Sequence, residues 1–496
     1  MIDNIYSYIA SFKVFFSEYK NRDCIHLYTL NIFRTSCLLF LCFSLSNCKK
    51  LVQVGEPVDT ITSSETFKTE ANATAALIQI YSSMSNDQGN FSIGNGLITI
   101  CAGLSADELN YFGTDPQMLQ FQSNSLQSKN SVLNGQLWSP AYKNIYYANA
   151  VIEGVQISNN ISQNMKDELI GEAKFLRAFT NFYLVNIFGD VPLISTTDWT
   201  KIVQLPRTSK EDVYKNIVSD LKESQNLLPD DYSVSGGERT RANKSAATAL
   251  LARVYLYMGN WADAVTQATS ILDNLNNYSL TKNLADVFLK DNVETILELE
   301  VNSDLFPYTV REANQIIPEI SAPPNYYITS QLLSAFEVND QRKKIWIDSI
   351  DFLGKKYYYP FKYTVRQGEG GADVPQYYIL LRIAEQYLIR AEANAHLNNL
   401  NKAIDDVNVI RSRAELSKLF YTSNQTEVFA AIVQERRIEF FAEWGHRWLD
   451  LKRTGVASST LSIVKSGWKT GAELYPIPWS EIQTDPNLSQ NSGYDQ

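Results

Sequence analysis

A run of alternating charge near the C-terminus holds the residues best suited to chemistry: Glu435, Arg436, Arg437, Glu439, Arg447, Asp450 and Arg453. A carboxylate pair within it could act as general acid and base, provided one member stays protonated. The interleaved arginines oppose that by holding both carboxylates ionised. The run reads better as buried ion pairs that fix a helix and its cap against their neighbours. Asp107 and Glu108 could bind a cation, although they more simply cap or pair locally. Beyond residue 48 the chain keeps two histidines, His396 near a hairpin turn and His446 beside the charged run, and one thiol, Cys101. A structural zinc site needs four ligands, so neither a metal nor another cofactor is expected. A P-loop, GxSxG, HExxH, CxxC and EF-hand loop are all missing. The sequence therefore points away from an enzyme.

The elements that would position these residues are helical. From Phe175 to Phe188 nearly every position is apolar or aromatic, broken mainly by Arg177, Thr180, Asn181 and Asn186. A helix greasy on most faces belongs inside a large core. Gly189 offers a left-handed ending and Pro192 prevents resumption. Helical spacing also marks Glu70 to Met84 and the stretch from Trp138 to Ile152, whereas Leu97 to Leu104 fits helix or strand and Ala106 to Ser131 reads as polar and turn-rich.

Ala252, Tyr255, Gly259, Ala264 and Ala268 repeat the gaps of Ala391, Asn394, Asn398, Ala403 and Val407. That is the small-residue register of a tetratricopeptide-like helix hairpin, in which small side chains let paired helices approach. The copies are not tandem. They imply a helical scaffold carrying a large insertion at 280–378, rich in proline, glycine and aromatic rings, with β-like runs at Thr295–Val301 and Lys356–Tyr363. Irregular chain on a rigid scaffold is where binding residues concentrate.

Residues 36–45 (SCLLFLCFSL) form an apolar run too short to span a bilayer, ending at Leu45-Ser46-Asn47-Cys48. They fit the centre of a secretory signal, and the tetrapeptide resembles a bacterial lipobox, making Cys48 the expected lipidation site. Residues 1–31 exceed an ordinary signal and are expected to be upstream sequence, with translation starting near Arg34. The expected division is 1–47 signal, 48–68 tether, 69–240 N-terminal helical region and 241–496 C-terminal region. The full chain carries −10; residues 1–47 hold four basic and three acidic side chains, so cleavage before Cys48 leaves −11. Such an acidic surface is a poor partner for nucleic acid.

Five segments resemble the SusD/RagB family in order. They are Ala173–Ile194, Arg207–Pro229, Arg241–Ala264, Tyr378–Asn394 (YILLRIAEQYLIRAEAN) and Glu435–Gly455 (ERRIEFFAEWGHRWLDLKRTG). Tyr475-Pro476-Ile477-Pro478 and Asn487–Tyr494 are similar to the family's closing YPIP and NPxLxQNPGY motifs, with Ser492 in place of proline and Trp444 as a further departure. The resemblance implies a mainly α SusD-like fold and a non-catalytic surface lipoprotein of the outer membrane. Such a protein hands oligo- or polysaccharide to a SusC-like TonB-dependent transporter; oligopeptide capture by the same fold is the alternative. A sugar's CH face stacks on flat rings while polar side chains take its hydroxyls. Two irregular regions supply candidates: Asn110, Tyr111 and Phe112, then Phe306, Tyr308, Arg311, Tyr326 and Tyr327.

Overall fold

The helix that organises the core is the one with no polar face. In the computed structural model, which describes residues 63–85 and 93–495, it runs Gln163–Phe188 (α4 below), and Phe175, Phe179, Phe182 and Phe188 are fully buried. Each such ring contributes roughly 1.5–3 kcal/mol by leaving water. Gly189 ends the helix at φ 78°, ψ −132°. This conformation has positive φ but is not the left-handed turn expected from the sequence. Cys48, the signal segment and most of the tether lie outside the described residues.

In chain order the main helices are α1 (Glu70–Ser85), α2 (Leu97–Ser105), α3 (Ser139–Ile157), α4, α5 (Lys210–Leu227), α6 (Lys244–Met258), α7 (Trp261–Leu272), α8 (Ile383–His396), α9 (Leu400–Arg413), α10 (Gln425–Glu439) and α11 (His446–Arg453). From α3 to α10 each helix packs on the next. The two small-residue hairpins are α6–α7 and α8–α9. Their turns use Gly259 at φ 76° and Asn398 at φ 61°, and Ala252, Ala264, Ala391 and Ala403 are completely buried between the helices. Because α7 packs on α8, the hairpins are neighbours in space despite their separation in sequence. The insertion leaves and rejoins one continuous stack.

The ambiguous segment at Leu97 is helix α2, with all nine residues buried. Ala106–Ser131 is more regular than its polarity suggests. It contains strand β1 (Leu109–Tyr111) and a short helix, Pro116–Ser123, whose first turn is capped by Asp115. The insertion supplies β2 (Thr295–Leu299), β3 (Tyr326–Ile328), β4 (Ile347–Phe352) and β5 (Lys355–Pro360), and β6 (Tyr378–Arg382) leads into α8. β2 pairs antiparallel with β6 and roots the insertion, β4 and β5 form a hairpin, and β3 pairs with β1.

The charged run is an ion-pair network, and it is buried. Glu439 receives Arg342 at 3.0 Å and Arg382 at 2.6 Å, and also Arg413. Glu294 bridges Arg382 and Arg413 at 2.9 and 2.7 Å. Asp450 takes Arg436 and Arg453, each at 2.8 Å, and Arg453 continues to Glu392. Burial opposes the charge of Glu439, but its three arginines outweigh it and hold the carboxyl well below the ordinary range. Glu435 departs from the expectation: burial outweighs Arg342 and pushes its carboxyl up. His446 is buried beside this network with its ring 4.8 Å from Phe440, and exposed His396 stacks on Trp261 at 3.7 Å.

Glu312, in the short helix Arg311–Ile316, ties the insertion to α2. Tyr378 Oη donates to it at 2.9 Å, and a Cβ on Gly96 would lie 2.7 Å from its own Cβ. Burial raises its carboxyl from the ordinary 4.5 to about 8. Between those values the folded chain holds a proton that the unfolded chain releases, so stability falls as pH rises across the window. Thermal unfolding at pH 5 and pH 8 should show wild type losing more melting temperature than Glu312→Gln, which has no proton to lose. Equal losses would remove Glu312 from the account.

Candidate functional site

Strand register decides which candidate rings meet. Leu109 lies opposite Ile328, Asn110 opposite Tyr327 and Tyr111 opposite Tyr326. Opposed residues share a face, and successive residues alternate. Leu109, Tyr111, Ile328 and Tyr326 therefore point inward, and Asn110 and Tyr327 outward. Tyr111 and Tyr326 stack with centroids 5.4 Å apart, and Tyr326 is only 5% exposed. Its ring is a support under the ribbon, since a buried ring has no free face to offer.

The next residue, Phe112, donates its backbone N–H to Asn325 O at 2.8 Å and is 40% exposed. Its ring meets Tyr357 edge-on at 5.6 Å and Phe352 at 6.0 Å, and Tyr327 meets Tyr357 at 5.2 Å. The β4–β5 hairpin thus completes a platform of Phe112, Tyr327, Tyr357 and Phe352, with Asn110 on the same face. Lys355 Nζ sits 4.9 Å from the Tyr357 ring centroid. Tyr357 was visible in the sequence only as part of a tyrosine run, and Phe352 was missed. The available signal was the Leu353-Gly354 turn between two alternating strands, which puts Phe352, Ile350 and Tyr357 on one face.

Phe306 and Tyr308 stand on a separate loop, and Arg311 opens the short helix that follows it. Phe306 is 53% exposed and meets Tyr308 edge-on at 6.0 Å, after a cis Phe306–Pro307 bond. Among the described residues no ring contact joins this pair to the platform. A cavity of about 650 Å³ lies beside the loop, lined by Tyr81, Arg241, Glu300 and Asn302 among others, and none of the eight candidate residues lines it.

The ribbon is fastened from below by charge. Asp107 accepts from Arg447 and Arg437, both at 2.7 Å, so both its oxygens are engaged by guanidinium groups rather than open to a cation. Burial works against its ionisation, but the arginines prevail and lower the carboxyl. Thr329 donates its N–H to Glu108 O at 2.9 Å and its hydroxyl to Asp107 O at 2.6 Å, locking β3 to β1. Glu108 itself is buried, and burial together with Asp107 raises it to about 8.

Two family models match the chain. One, described as "Starch-binding associating with outer membrane", covers residues 61–256, and the other, "SusD family", covers 348–494. This chain belongs to the SusD/RagB family. SusD-like protein P2 of Formosa agariphila is 25% identical over 510 residues, spanning 92% of this chain and 98% of that protein. The starch-binding protein SusD of Bacteroides thetaiotaomicron is 24% identical over 418 residues, 65% of this chain and 72% of that one. A solved SusD superfamily protein from Bacteroides vulgatus aligns at TM-score 0.75 with 23% identity, covering 86% of this chain and all of that one. A solved laminarin-binding SusD-like protein aligns at 0.72 with 24% identity over the same shares. The stretch between the two SusD-family matches carries Phe306, Tyr308, Arg311, Tyr326 and Tyr327. What the family models recognise is thus mostly scaffold, and half of the platform ribbon comes from chain they do not cover.

Asp107→Ala would strand two part-buried guanidinium groups. Breaking such a pair costs about 3–5 kcal/mol. The variant should unfold at visibly lower denaturant than wild type, and an unchanged midpoint would show that the ribbon does not depend on this anchor.

Proposed function

We propose that this chain is a non-catalytic, lipid-anchored nutrient-binding protein of the bacterial outer membrane. It holds an oligo- or polysaccharide against the ring platform and passes it to a SusC-like TonB-dependent transporter. One observation carries the reading: two irregular segments far apart in sequence meet as a single, partly exposed, ring-bearing surface. Phe112, Tyr327 and Tyr357 offer apolar faces to sugar CH groups, and Asn110 offers amide donors and an acceptor to hydroxyls. Phe306, Tyr308 and Arg311 supply a second contact for a longer chain. Tyr111 and Tyr326 hold the platform in place. No bond in the ligand needs to break, and the strongest charge constellation is spent on structure. The names of the relatives lend weight, one being called starch-binding and another laminarin-binding.

No helix among the described residues is long and apolar enough to cross a membrane. In this reading acyl chains on Cys48 provide the anchor, each buried methylene adding about 0.8 kcal/mol. The chain from residue 49 acts as the tether up to Ser63, where the folded body begins with the helix Ser63–Thr66 and Phe67 packs on the core.

Phe112→Ala combined with Tyr357→Ala should weaken oligosaccharide binding by about fivefold or more, at about 0.5–1.5 kcal/mol per ring, with an unchanged melting temperature. Isothermal titration against a panel of oligosaccharides and oligopeptides checks this. Saturation by peptides alone would replace the glycan reading with its alternative. Cys48→Ala should move the protein from the membrane to the soluble fraction, and retention in the membrane fraction would refute the anchor.

A further inference from the structure

A second aromatic surface stands on a different part of the molecule, where the C-terminal motif emerges. Tyr475 and Ile477 are buried, their backbone N–H groups donating to Ile187 O and Gln490 Oε1 at 2.9 and 2.8 Å. That anchorage delivers Trp479 to the surface, where it is 37% exposed and its backbone N–H donates to Ser128 O at 2.8 Å. Two adjoining cavities, of about 510 and 420 Å³, share Trp479, Ser128 and Lys129. The indole therefore borders both spaces, with the Lys129 ammonium over one of its faces.

Charge at this place runs against that of the whole chain. Lys129 Nζ lies 4.7 Å from the Trp479 ring centroid, and Lys469 Nζ lies 4.3 Å from that of Tyr494. Among the described residues neither lysine has a carboxylate at ion-pair distance, and Asp495 is the one acidic side chain lining either cavity. The far wall comes from a π-helical turn, Leu133–Trp138, a rare irregularity that re-aims side chains. There Asn134 donates to Ser480 Oγ at 2.7 Å, and a Cβ on Gly135 would meet open space. An exposed indole, two ammonium groups that lack an ion-pair partner among the described residues, and neighbouring amide and hydroxyl groups together match a sugar that carries negative charge.

We propose that the Trp479 groove is a second saccharide-binding site, separate from the ring platform and selective for an anionic sugar unit bearing a carboxylate or a sulfate. The sugar's CH face lies on the indole, and its acidic group is held by Lys129 and Lys469 through charge-assisted contacts. Because both lysines are exposed, the attraction is screened by salt.

The test follows tryptophan fluorescence of the purified chain on titration with an alginate hexamer (carboxylate), a κ-carrageenan hexamer (sulfate) and neutral laminarihexaose. The chain has eight tryptophans, so the Trp479 signal is the part of the change lost in Trp479→Phe. A saturable Trp479 signal is expected with at least one anionic hexamer. It should weaken at least about fivefold in Lys129→Ala/Lys469→Ala and persist in Phe112→Ala/Tyr357→Ala. Whichever hexamer gives it identifies the acidic group. The inference is overturned if none of the three hexamers gives a Trp479 signal, or if laminarihexaose matches the anionic ones. It is equally overturned if the platform variant abolishes the signal. Loss of platform binding with the Trp479 signal intact would bear only on the reading of the platform.

Discussion

The structure depends on the pairing of charges buried in its core. Glu439 has no exposure and would be costly to bury alone. It is tolerable because guanidinium groups from three places converge on it: Arg342 from the insertion, Arg382 from β6 and Arg413 from α9. A network of this kind tolerates little displacement, since moving one partner strands the others. It need not make the protein more stable than a greasy core would. It does make one arrangement of the insertion against the helical stack far better than its alternatives. Lys362 adds to this from the insertion, bonding to Glu443 while lying 4.2 Å from the Phe441 ring centroid.

That constraint reaches the ring platform through a short path. Arg437 on α10 and Arg447 on α11 hold Asp107, and Asp107 sits two residues before β1. Thr329, directly after β3, bonds to the backbone of Asp107 and Glu108. The network thus fixes both strands of the ribbon, and the ribbon fixes Asn110, Phe112 and Tyr327. Rigid support of this sort lets exposed rings keep their relative angles without a partner to brace them.

Much of the scaffold was legible because its signals are local. The uninterrupted apolar run of α4, the repeated alanine gaps of the two hairpins and the alternating signs of α10 and α11 each follow from spacing along one helix. Leu97–Leu104 was ambiguous for a physical reason: a segment buried on all sides has no polar face to reveal its period. The platform was only half legible. Both contributing regions stood out by their rings and irregular composition, but β1 and β3 pair across more than 200 residues of sequence, and no local pattern sets that register. Parity within the ribbon then separated Tyr326, turned inward, from Tyr327, turned outward, a distinction that depends on which residues pair. Glu435 shows the same limit in electrostatics. Its arginine neighbours were visible in sequence, but the depth of its burial was not.

A ring surface that must also release what it holds benefits from being open. An enclosed pocket gathers many contacts and slows escape, whereas rings on a ribbon and a hairpin make few contacts each and leave the ligand's other face in water. Affinity then comes from the number of sugar units engaged at once, and each unit can detach in turn. On the proposed reading this favours a polymer over a monomer as cargo. It also gives a use to having the Phe306–Tyr308 pair and the Trp479 groove stand apart from the platform. Separate weak footholds on one chain hold it through effective concentration, while no single contact is strong enough to prevent transfer.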